Sequence, residues 1–146
     1  MADPRDQPHI QERSSETITV TFEPGYCVHA AACLQMLPEV FNLAARPWIQ
    51  PQQATADKVA ETVMRCPSGA LQFHRLDGGE DEAAPTSTTV GTVPNGPLAL
   101  RGDLQFRRAD GEIYRETARA TLCRCGQSAN KPFCDATHRR IGFRAD

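Results

Sequence analysis

Six cysteines are the residues of this 146-residue chain whose type and spacing could do chemistry, and they fall into two sets, Cys27, Cys33 and Cys66, then Cys123, Cys125 and Cys134. The second set runs on to His138, giving the spacing C-x-C-x8-C-x3-H within sixteen residues. Thiolates and a neutral imidazole are donors that suit zinc, copper or iron–sulfur centres rather than magnesium or calcium. Four such ligands in so short a stretch let a bound ion or cluster close a loop that the backbone would not hold alone. The first set has the spacing C-x5-C from Cys27 to Cys33, with His29 between them and Cys66-Pro67 following thirty-three residues later. An even cysteine count also permits disulfides. The opening sixteen residues carry no apolar stretch of the kind a secretory signal needs, however, so a reducing compartment, the cytoplasm, is expected.

Each set has a plainer reading. Three cysteines and one histidine also make a structural zinc site, though such sites usually open with two to four residues between the first pair. The single residue between Cys123 and Cys125 instead lets two thiolates chelate one iron at the edge of a cluster. Cys27, Cys33 and Cys66 could simply be core thiols, since free cysteine is among the most buried residue types. His9 and His74 read as solvated. No nucleophile–base pairing and no phosphate-cradling glycine loop is apparent, so no enzyme is expected.

The elements that must position these residues can be read from the pattern. Thr17 to Glu23 alternates, with Ile18, Val20 and Phe22 on one face of a half-buried strand, and Pro24-Gly25 turns the chain into Cys27. Val28 to Met36 suits a short helix stopped near Pro38. Thr55 is a candidate N-cap for a second helix, in which Asp57 complements the dipole and Val59, Val63 and Cys66 share a face. Pro67-Ser68-Gly69 breaks that helix, and Leu71 to Arg75 reads as a strand. Trp48, the single tryptophan, is expected to pack over this half and shield its cysteines from water. In the second half, short alternating segments at 90–93, 98–101, 104–107 and 113–122 are separated by turn signals at Asn95-Gly96-Pro97, Gly102-Asp103 and Asp110-Gly111.

Composition divides the chain at the Gly/Ser/Thr-rich stretch holding Glu80, Asp81 and Glu82. Residues 1–77 have 6 basic and 9 acidic side chains, residues 90–146 have 10 and 6, and the whole carries −2. The expected organisation is a disordered tail over 1–16, a first domain over 17–77, an acidic linker over 78–88 and a second domain over 89–146, α+β overall. Near-neutral charge argues against a nucleic-acid partner, and no apolar run approaches the ~20 residues of a membrane span. Arg107-Arg108 and Arg139-Arg140 read as a solvated basic face or as a docking surface for an acidic redox partner.

Two resemblances sharpen this. Over residues 89–144 the run CRCGQSANKPFCDATH resembles the CDGSH iron–sulfur motif, with Cys123, Cys125, Ser128, Pro132, Cys134, Asp135 and His138 on its positions. The lead-in from Pro94 and the Gly142-Phe143 tail resemble that family as well. The resemblance implies a 2Fe–2S cluster, with Cys123 and Cys125 on the inner iron and Cys134 and His138 on the outer one. It also implies a β-rich domain and a homodimer. Ala136 departs from the motif, which has glycine there; a positive φ at this position would cost alanine roughly 1 kcal/mol. Because free imidazole titrates near pH 6.5, acid is expected to protonate His138 and release the cluster. From Tyr26 to Phe73 the chain resembles single-cluster bacterial-type ferredoxins, through C-x5-C, Pro38-Glu39-Val40-Phe41 and Arg65-Cys66-Pro67-Ser68-Gly69. That family has a middle cysteine where Ala30 stands. The resemblance therefore implies a 3Fe–4S cluster on Cys27, Cys33 and Cys66, or a 4Fe–4S cluster with His29 as fourth ligand. The expected function is one-electron transfer with a redox partner protein. The alternatives are cluster storage, cluster transfer or sensing, and a zinc-stabilised interaction module.

Overall fold

The computed structural model describes residues 3–6 and 9–146. The chain divides into two compact units, one of residues 1–66 and 70–82, the other of 67–69 and 83–146. Both are small and carry a three-stranded antiparallel sheet, and the helices are few and short, an α+β arrangement.

In the first unit the sheet order is β1 (Gln11–Ser14), β2 (Ile18–Phe22), β3 (Leu71–Arg75), with β2 in the centre. β2 buries Ile18, Val20 and Phe22 on one face, as its alternation requires, and pairs with β3 in the register Val20 opposite Phe73. Helix α1 (Ala32–Met36) is shorter than the span expected from 28, because His29 and Ala31 both take left-handed backbone conformations ahead of it. Helix α2 (Ala56–Met64) begins where Thr55 accepts a hydrogen bond from the Lys58 N–H at 3.3 Å, and it buries Val59 and Val63. Between these helices the chain doubles back, with Phe41 bridged to Ile49. Trp48 lies edge-on to Phe22 at 5.1 Å in the core.

Residues 9–16 do not form the tail the sequence suggests. Gln11–Ser14 is an edge strand on β2, and the Gln11 side chain accepts from Trp48 Nε1 at 2.9 Å while donating to the Pro4 carbonyl at 2.8 Å. Residues 1, 2, 7 and 8 of the expected tail lie outside the described residues. Asp81, in the stretch expected to be linker, accepts from the Arg75 N–H at 2.7 Å and pairs with His74, which is otherwise exposed.

The second unit is a meander of β4 (Thr89–Thr92), β5 (Leu98–Arg107) and β6 (Ile113–Leu122). Gly102-Asp103 is not a turn. β5 runs through it, and the pairing with β6 shifts register between Arg101 and Leu104, a β-bulge. Gly102 has no room for a side chain, since a Cβ there would meet Thr88 Oγ1 at 2.6 Å. Helix α3 (Thr137–Arg140) is a single turn. Among the described residues no helix is long and apolar enough to cross a membrane.

Candidate metal centres

The β5–β6 hairpin ends at Leu122 and delivers Cys123 into a loop that is closed back onto the same strand. Cys123 N–H donates to Pro132 O at 2.8 Å, and Cys134 N–H donates to Thr121 O at 3.0 Å. Phe133 anchors the loop: it is buried, bridges to Leu122 and packs edge-on to Phe106 at 4.9 Å. Inside the loop Ser128 Oγ donates to Phe133 O at 2.6 Å and accepts from the Asn130 N–H at 3.0 Å. Asp135 accepts from the N–H groups of Ala129 and Thr137 at 2.9 and 3.0 Å. Burial alone would raise the Asp135 pKa, but these bonds and the Arg140 charge hold it below the ordinary value. Ser128 and Asp135 therefore serve the loop's shape.

That shape sets the four expected ligands in two close pairs, and among the described residues no three of them gather as one group. Cys123 Sγ and Cys125 Sγ are 3.8 Å apart, and Cys134 Sγ lies 3.5 Å from His138 Nδ1. Two sulfurs at a metal–sulfur distance of about 2.3 Å and a tetrahedral angle sit about 3.8 Å apart, and a sulfur–nitrogen pair about 3.6 Å. Both pairs are at chelating separation. Burial would raise the Cys123 pKa, yet N–H groups of Ser128, Gly126 and Gln127 aim at its sulfur and hold it below the usual thiol range. Burial pushes Cys134 up. Burial, helped by the charge of Arg139, pushes His138 down and so favours the neutral ring that a metal needs.

Ala136 has φ 71°, the left-handed conformation that the motif's glycine suits, and it starts α3 while its N–H donates to Cys134 Sγ at 3.4 Å. Alanine is strained there by roughly 1–2 kcal/mol, and glycine's greater freedom in the unfolded chain returns about 0.4–1. Ala136→Gly is expected to stabilise by about 0.5–1 kcal/mol, raising the melting temperature by a few degrees in a thermal scan. An unchanged or lower melting point would show that the strain is relieved elsewhere.

The first set is built from three elements. Cys27 follows the turn Pro24–Tyr26, Cys33 is in the first turn of α1, and Cys66 N–H closes the end of α2 on Val63 O at 3.0 Å. His29 and Ala31, at φ 55° and 64°, curl the segment between the first two cysteines, and the His29 N–H donates to Cys27 Sγ at 3.4 Å. Backbone strain of this kind collects at binding sites, where successive N–H groups face an anion. The three thiols share one electrostatic neighbourhood. Burial first, and then the charge of Cys66, pushes Cys27 up to about 11 and Cys33 up to about 12. At neutral pH both stay protonated until a metal displaces the proton. Ala30 is exposed and His29 half-buried.

Sequence reasoning missed the N-terminal strap. Asp3 grips Arg5 through both carboxylate oxygens at 2.6 to 3.1 Å, and the Arg5 charge acts on Cys27 and Cys33. Its polar composition gave no signal. Arg124 was missed too, although its place between Cys123 and Cys125 could have marked it.

Comparison with known proteins agrees with this division. A family model described as a divergent 4Fe-4S mono-cluster matches residues 13–76, and one described as an iron-binding zinc finger of CDGSH type matches residues 95–139. The chain is 35% identical over 60 residues to the uncharacterized protein YjdI of Escherichia coli strain K12, and equally so to the YjdI of Escherichia coli O157:H7. Each match spans 41% of this chain and 79% of the relative. The chain is thus an iron–sulfur protein that belongs to the divergent 4Fe-4S mono-cluster family, with a CDGSH-type domain joined behind it.

Proposed function

We propose that the chain is a two-cluster carrier of single electrons, with a 2Fe–2S cluster on Cys123, Cys125, Cys134 and His138 and a 3Fe–4S cluster on Cys27, Cys33 and Cys66. The observation that carries this reading is the pairing of the C-terminal ligands at 3.8 and 3.5 Å. Ligands set in two chelating pairs suit a cluster, which spreads them over more than one iron. In the first set three cysteines match three irons, and a four-iron cluster requires a further ligand, for which His29 is the candidate.

When bound, such clusters supply one-electron redox chemistry at a potential set by ligand charge, hydrogen bonds and exposure. The chain's own residues supply those settings. His138 replaces a thiolate by a neutral donor, which raises the potential. The N–H groups of His29, Gln127 and Ala136 point at Cys27, Cys125 and Cys134 at 3.4 to 3.5 Å and act in the same direction. No residue of either site is needed for catalysis in this reading. Exposed Arg139, Arg140 and Arg144, close to His138 in the sequence, support an acidic redox partner docking on the second unit. The four residues of β4 are all exposed, Val90 to 61%, which supports a homodimer built on that edge. Thiolate ligands fit a cytoplasmic setting.

The reading is tested by EPR and iron analysis through one anaerobic cycle of reduction and reoxidation. Signals that return with the iron retained support a carrier. Iron lost on the cycle and passed to an apo-ferredoxin would make the chain a cluster donor instead.

A further inference from the structure

Arg124 is the one residue between two ligands of the C-terminal site, and its guanidinium is spent on main-chain carbonyls. Nε donates to Gly96 O at 2.8 Å, Nη2 to Val93 O at 2.8 Å and Ala145 O at 3.3 Å, and Nη1 to Asp146 O at 2.7 Å. Its plane lies over the Phe143 ring, 5.4 Å from the centroid. These carbonyls belong to two segments far apart in sequence, the turn between β4 and β5 and the stretch after α3. Asn95 joins the same two segments, donating its N–H to Ala145 O at 2.7 Å and accepting from the Ala145 N–H at 3.1 Å.

His138 sits between them. Its carbonyl accepts from the Phe143 N–H at 3.0 Å, and it lines a cleft of about 310 Å³ together with Val93, Pro94, Asn95 and Phe143. The turn runs beside the far edge of the ring: a methyl group added at Gly96 would come to ordinary contact distance, 3.5 Å, from His138 Nε2. The ring thus has Nδ1 toward Cys134 on one side and the turn about a methyl group's width from Nε2 on the other. A planar fork with five donors can hold four carbonyls in one geometry, which an ammonium cannot.

We propose that Arg124 is a positioning residue that latches this wall, keeping the turn at 93–96 and the segment at 143–146 closed on His138 so that water and chelators reach the ligands slowly. The inference rests on the cluster assignment of the preceding section. It makes Arg124 a determinant of how long the C-terminal metal is kept, apart from the four ligands themselves.

The test is the rate at which the full-length loaded protein loses visible colour to an iron chelator at pH 8, where His138 stays neutral, with thermal unfolding followed on the same samples. Arg124→Gln is expected to lose colour at least about tenfold faster than wild type, because a set of charge-assisted bonds is removed. Arg124→Lys keeps the charge but not the fork, and is expected to stay at least about fivefold faster. Lys58→Gln removes an exposed charge of the first unit and none of these bonds, and is expected to remain within about twofold of wild type. Arg124→Gln at the wild-type rate, or full rescue by lysine, would overturn the latch. If Arg124→Gln does not fold, Asn95→Gly decides: it removes only the side-chain half of the stitch and tolerates φ 56°, and it is expected to lose metal about threefold faster. A wild-type rate in that variant would overturn the latch as well. A wild-type protein without iron and sulfide would overturn the cluster assignment instead, and the same variant-to-wild-type ratio would then be read on the metal it does carry.

Discussion

Cys66→Ser is expected to strip the first unit of its cluster while leaving the second loaded, so that iron falls from about five to about two per chain. The reason lies in the other two sulfurs. Burial pushes Cys27 up to about 11 and Cys33 up to about 12, so a bound metal centre is what makes their deprotonation favourable. Removing the third thiolate leaves two reluctant ligands, too few for a cuboidal cluster. Cys66 lies beyond the end of α2 and is only partly buried against the core, so exchanging its sulfur for oxygen is a small change there. The ligands of the second site all lie between residues 123 and 138 and are untouched. Ala30→Cys is the converse within the same experiment: a fourth thiol placed between the two left-handed residues is expected to add one iron and abolish a three-iron EPR signal. Iron unchanged in Cys66→Ser would remove Cys66 from the ligand set.

His138→Cys is expected to slow the acid-driven loss of colour by at least about tenfold near pH 5.5. The sign follows from the environment of the ring. Burial, with the Arg139 charge adding and Asp135 opposing, lowers the His138 pKa below its ordinary 6.5. The neutral ring, with its Nδ1 lone pair toward the metal, therefore persists through neutral pH. The grip it provides is full above that range and is lost as pH falls through the lowered value, each further unit below it cutting the neutral fraction about tenfold. A thiolate at the same position carries charge to the cluster and has no such titration in that window. Equal rates for wild type and variant at pH 5.5 would contradict the assignment of His138 as the labile ligand.

Much of this was legible in the sequence because the relevant signals were local. The alternation of Ile18, Val20 and Phe22 marked β2, the Thr55 cap and Val59/Val63 spacing marked α2, and the C-x-C-x8-C-x3-H run lies on one loop with its side chains in two close pairs. The motif's glycine position even marked where Ala136 would be forced to positive φ. What could not be read depends on partners remote in sequence. β1 has no apolar residue, and it is held by backbone pairing to β2 and by Gln11 bridging Trp48 and Pro4, none of which leaves a side-chain pattern. Gly102-Asp103 has turn composition but is a bulge, because Leu104 resumes the pairing with β6. Arg124 gives no local hint of the four carbonyls it joins, two about thirty residues before it and two about twenty after.

The central claim, two iron–sulfur clusters on these seven ligands, is met most directly by iron, zinc and sulfide analysis with EPR on protein purified without oxygen. The account predicts about five irons per chain with matching sulfide, and a three-iron signal before any reduction. About six irons without that signal would bring in a fourth N-terminal ligand, His29. One or two zinc ions per chain, no sulfide and no colour would contradict the account and leave a zinc-stabilised module.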